Sequence, residues 1–60
     1  MNTYDVQIIA ALRATLPKPT PFEDLLKLGM PEAFVQNTLQ QLSRNGDVME
    51  VKPGYWLLLE

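Results

Sequence analysis

Sixty residues, 47% of them hydrophobic, with five Lys/Arg against seven Asp/Glu and a net charge of −2, limit this chain to a single small domain over residues 1–60. The absence of cysteine and histidine removes disulfides, thiolate chemistry, the commonest metal ligands and the usual general base near neutral pH. There is no run of about 18 apolar residues, and Met1-Asn2-Thr3-Tyr4-Asp5 has no basic n-region, so a soluble, cytoplasmic protein without leader or anchor is expected.

Thr3 is suited to cap a first helix, with Asp5 in its first turn where negative charge favours the dipole. Tyr4, Ile8, Ala11, Leu12 and Thr15 recur at helical spacing and Ile9 and Leu16 widen the stripe, leaving Gln7 and Arg13 to face water. Leu16-Pro17-Lys18-Pro19 ends the helix as a stiff connector. Thr20-Pro21-Phe22-Glu23 reads as the start of a second helix over Pro21–Leu28. Thr20 would cap, Pro21 would occupy the first helical position and Glu23 would complete a capping box. Phe22, Leu25, Leu26 and Leu28 would form its buried side, and Gly29 permits the left-handed conformation that ends it.

Pro31 and Glu32 restart the chain, and a third helix is predicted over Pro31–Arg44, with Val35, Leu39 and Leu42 buried and Asn45-Gly46 as its stop. Asp47–Val51 and Tyr55–Leu59 then read as two strands around Lys52-Pro53-Gly54. Two registers are open. A three-residue loop places Val48, Trp56 and Leu58 on one face. A two-residue Pro53-Gly54 loop instead pairs Val51 with Trp56 and Met49 with Leu58. Turn chemistry does not favour the first, since proline is disfavoured at the second central position of a type I turn.

Helix, tight turn, helix and hairpin in this order resemble the winged-helix family. Val35…Leu39…Leu42…Gly46…Val48 is similar to the core signature of small bacterial or phage-type winged helix-turn-helix regulators, and Gly54-Tyr55-Trp56-Leu57-Leu58 to the strand returning from the wing. The resemblance implies an α+β, mainly α fold: three helices followed by a C-terminal two-stranded β-hairpin. It also favours the three-residue register, and it implies that the third helix enters the DNA major groove.

On that helix Gln36, Asn37, Gln40 and Gln41 are the candidate base readers, because amide side chains can bond in bidentate fashion to adenine N6 and N7. Lys18, Lys27, Arg44 and Lys52 are the candidate phosphate contacts. A net negative chain lacks a general attraction to phosphate, but a local basic face can coexist with it. So few cations per monomer imply shallow salt dependence and a need for dimerisation or tethering.

A second reading makes the chain a protein-interaction module of the same fold. Tyr55, Leu57 and Leu59 alternate with Trp56 and Leu58, and three short helices can cover only one face of a hairpin. Phe34, directly before the buried Val35, would add to the exposed apolar surface, and the last strand would be an open sheet edge. The alternative is that helix one covers the second face while Phe34 wedges between helices two and three. Trp56 is expected in the core.

Catalysis is not expected. Ser43 has no histidine partner, Glu23 is accounted for by capping, Asp47 and Glu50 should face solvent, and the glycines all lie at turns rather than in a phosphate loop. No cofactor or metal is expected. The expectation is therefore a DNA-binding regulator, with DNA and a second copy as partners. The alternative is docking on a protein through Phe34, Tyr55, Leu57 and Leu59.

Overall fold

Ile8 and Leu12, one helical turn apart, are fully buried and anchor α1 (Thr3–Thr15) to the rest of the chain. The structure is a computed structural model and describes residues 3–60. Met1 and Asn2, the start of the N-terminal segment judged not to be a leader, lie outside the described residues. Thr3, expected to cap α1, already lies within the helix. Ile9, Ala11 and Leu16 pack against the core from the flanks, whereas Tyr4 is exposed.

Between Pro19 and Phe22 the chain is extended, not helical. Thr20–Pro21 forms a short strand, β1. A residue preceding proline is pushed out of the α region, and Thr20 sits directly before Pro21. An N-cap is extended as well, so the predicted capping box is absent for another reason: Pro21 is itself extended, at ψ 143°, and the first helical residue is Phe22. α2 (Phe22–Leu26) starts one residue later than expected, its N-cap is Pro21, and no side chain caps it. The Thr20 hydroxyl faces inward, where it meets the Thr15 hydroxyl. Phe22 N–H instead donates to Gly54 O at 2.8 Å, tying the helix start to the hairpin turn.

α2 also ends earlier than expected. Lys27, Leu28 and Gly29 N–H donate to Asp24, Leu25 and Leu26 O at 3.3, 3.2 and 3.2 Å, the tight three-residue spacing that finishes many helices. Leu28 lies past this end and is exposed, contrary to the expected buried stripe. Gly29 makes the turn at φ +88°, and Met30, not Leu28, is the buried residue that closes it.

α3 (Glu32–Arg44) follows from its N-cap, Pro31. Val35, Leu39 and Leu42 are buried, as their spacing implied. Its end is a Schellman motif: Asp47 N–H donates to Leu42 O at 2.9 Å and Gly46 N–H to Ser43 O at 3.1 Å. Gly46 occupies the left-handed position at φ +81°.

β2 (Val48–Lys52) and β3 (Tyr55–Leu58) complete an antiparallel sheet in the order β1-β3-β2. β3 is thus central at Tyr55 and Trp56, where β1 pairs with it, and β2 forms an open edge along its length. Val48 pairs with Leu58, Met49 with Leu57 and Glu50 with Trp56, but Lys52 pairs with Tyr55. Val51 is the extra residue of a bulge. The structure takes the turn of one alternative and the strand register of the other: Val51 does not pair with Trp56, nor Met49 with Leu58. The turn is the two-residue Pro53-Gly54 loop, with Gly54 at φ +81°. Beyond the bulge the strands adopt the register of the three-residue alternative. Proline then stands at the first central turn position, where its fixed φ is an advantage.

The bulge puts Val48, Trp56 and Leu58 on the inner face, where they join Ile8, Leu12, Leu25, Val35, Leu39 and Leu42 in one core. The architecture is α+β: three helices on one side of a small sheet that ends in a β-hairpin. No described helix is long and apolar enough to cross a membrane.

Candidate nucleic-acid interface

Burial of Val35, Leu39 and Leu42 settles which side of α3 faces outward. At 3.6 residues per turn the opposite side carries Ala33, Gln36, Asn37, Gln40, Gln41 and Arg44, and all six are exposed. From Gln36 to Arg44 this strip rises about 12 Å, so its amides form a continuous row of donors and acceptors ending in one guanidinium. The seven carboxylates of the chain all fall outside residues 33–46. Glu32 marks the start of the helix, and Asp47 follows its end.

The four candidate phosphate contacts are all exposed but come from separate elements. Arg44 lies in the last turn of α3. Lys52 ends β2 at the hairpin tip, with its ammonium 4.3 Å from the centre of the Tyr55 ring, a cation–π contact. Lys27 caps α2 and its Nζ lies 3.3 Å from Asp24 Oδ1. Lys18 belongs to the connection between α1 and β1. Among the described residues Lys18 and Arg44 form no ion pair, whereas Arg13 is paired with Glu60 at 2.7 Å. The hairpin tip is further held by Gly54 N–H, which donates to Glu50 Oε2 at 2.9 Å. Glu50, expected simply to face solvent, thus also braces the turn.

The four apolar candidates divide between two surfaces. Phe34 is 51% exposed and does not wedge between helices two and three. Its ring stacks on Tyr4 of α1, with centroids 5.3 Å apart and planes 28° apart. Tyr55, Leu57 and Leu59 lie on the outer side of the sheet, away from the core, with Tyr55 and Leu57 half-buried and Leu59 exposed. Helix one packs on the inner side and does not cover them. Met49, paired with Leu57, belongs to the same outer face and was not among the sequence candidates. Its alternation with Val48 was the available signal.

The described residues form no pocket and no cluster of three or more side chains able to hold a metal ion. Comparison with protein-family models, with curated proteins and with solved structures found no match to this chain.

Proposed function

We propose that the chain is a winged-helix DNA-binding domain that acts in the cytoplasm as a small transcriptional regulator. In this reading α3 lies in the major groove, Gln36, Asn37, Gln40 and Gln41 address base edges, and Arg44, Lys52, Lys27 and Lys18 approach phosphates. The observation that carries it is the exposed side of α3: a row of amides ending in Arg44, with no carboxylate between residues 33 and 46 in an otherwise acidic chain. Helix, turn, helix and hairpin supply the frame that such a helix needs. Four cations imply that log K falls by roughly 3.6 per decade of salt. Lys27 must first leave Asp24, so the slope should be shallower.

The test is an NMR titration of isotopically labelled protein with random-sequence duplex DNA at low salt. Shifts clustered on α3 and the hairpin tip, with smaller ones at Lys27 and Lys18, support the reading. Their absence at high DNA excess overturns it. Gln40→Ala combined with Arg44→Ala should weaken binding, so that the shifts need more DNA to develop, and unchanged binding would remove α3 as the reader.

A second reading, a protein-interaction module without DNA binding, is favoured by the exposed Phe34–Tyr4 stack and the apolar outer face of the sheet. It predicts a bound protein partner that Leu57→Lys releases without unfolding the domain.

A further inference from the structure

We propose that two copies of this chain pack face to face through the outer side of the β2–β3 sheet. The two-fold axis between them would set the strands of one copy antiparallel to those of the other. The proposal goes beyond DNA reading and stands without it.

The outer face follows from the register. Met49 pairs with Leu57 and Lys52 with Tyr55. Leu59 N–H donates to Asp47 O at 2.9 Å, which carries the same register one step further. Asp47, Met49, Lys52, Tyr55, Leu57 and Leu59 therefore share one side, opposite Val48, Trp56 and Leu58. Its centre is apolar, with Met49 45% and Leu59 43% exposed. Its charges stand at opposite ends, Lys52 at the hairpin tip and Asp47 where β2 leaves α3.

That distribution is self-complementary in one orientation only. A two-fold axis along the strands would set Lys52 over Lys52 and Asp47 over Asp47. An axis across the strands brings Lys52 of each copy to Asp47 of the other and leaves Met49 and Leu57 near the axis. Such an isologous contact satisfies both charges twice. Aligned sheets pack in this way about 10 Å apart with their side chains interleaved. The β2 edge is a poorer site for a second copy, because the bulge at Val51, Lys52 and Pro53 blunt it against strand addition.

The face measures roughly 10 by 17 Å from standard strand spacings. This is well below the roughly 800 Å² per partner of a standard stable interface. The dimer is therefore weak and concentration-dependent.

Sedimentation equilibrium from micromolar to millimolar protein tests the proposal. The mass should rise from the monomer value of 6.8 kDa towards twice that value. Met49→Lys, at an exposed site, should hold the protein at monomer mass throughout, and Leu59→Lys should do the same if the first variant fails to fold. Lys52→Asp should weaken association by about tenfold or more, and Lys52→Asp combined with Asp47→Lys should restore it. A constant monomer mass overturns the proposal and leaves the face to a different protein. Association untouched by Met49→Lys, or not restored by the charge exchange, overturns it equally.

Discussion

Thr15 of α1 and Thr20 of β1 share a hydrogen bond between their side-chain hydroxyls, and Thr20 is only 3% exposed. Thr15 Oγ1 also lies 3.1 Å from Leu12 O and 3.0 Å from Lys18 O. A hydroxyl has one proton, so whenever Thr15 donates to one of these carbonyls it accepts from Thr20. This arrangement fastens the end of α1 to the strand that pairs with Trp56. It leaves no buried side-chain polar atom unpartnered among the described residues.

The two threonines should respond unequally to removal of the hydroxyl. Thr15→Val strands the buried Thr20 hydroxyl and should cost about 1–3 kcal/mol. Thr20→Val leaves Thr15 its carbonyl partners and should cost about 1 kcal/mol or less. Urea unfolding of both single variants and the double variant measures this. The double variant should lose less than the sum, because the two sites form one network. Strict additivity would show that the hydroxyls do not interact.

Gly46→Ala should destabilise the domain by about 1–2 kcal/mol, the cost of a left-handed conformation for an L-residue. Nothing lies within 4 Å of the added methyl, so the effect is one of backbone conformation and not of collision. Gly46→Asn should cost less, since asparagine tolerates that region better. Thermal or urea unfolding of the two variants gives the order, and equal losses would point to a packing cause.

Leu39→Ala should cost about 2–5 kcal/mol. For a domain of this size, total stability is on the order of 3–9 kcal/mol, so the variant should lose about half of it and show a much lower urea midpoint at 25 °C. Leu28→Ala should change stability by about 0.5 kcal/mol or less, as is usual for exposed sites. Circular dichroism with urea titration separates the two leucines, which the sequence alone assigned to the same core. A large loss at Leu28 would contradict its exposed position.

The Tyr4–Phe34 stack joins the start of α1 to the first turns of α3. A double-mutant cycle with Tyr4→Ala and Phe34→Ala should return a coupling of about 0.5–1.5 kcal/mol. Amide exchange in the first turn of α1 should quicken in either single variant. A coupling of zero would mean that the rings contribute only separately.

Much of this architecture was legible in local sequence. The spacing of Val35, Leu39 and Leu42 identified the buried side of α3, and with it the outward row of Gln36, Asn37, Gln40, Gln41 and Arg44. Asn45-Gly46 marked the helix end because a Schellman turn needs only its own few residues. One error falls where a residue's role depends on a distant partner, and another where a helix stops short of its apolar period. Thr20 had the chemistry of a helix cap, but pairing with Trp56 and bonding with Thr15 drew it into a strand. Leu28 fitted a helical period that α2 abandons two residues earlier.

The hairpin shows the same division. Pro53-Gly54 specifies a two-residue turn from its own chemistry, whereas burial of Val48, Trp56 and Leu58 against the helices requires the other register. Only the assembled core could impose both demands at once, and the bulge at Val51 reconciles them. Helix stops and turns are short-range matters of backbone conformation. Strand order, the bulge and the inward turn of Thr20 come from burying a shared apolar face, which exists only once the helices and the sheet have met.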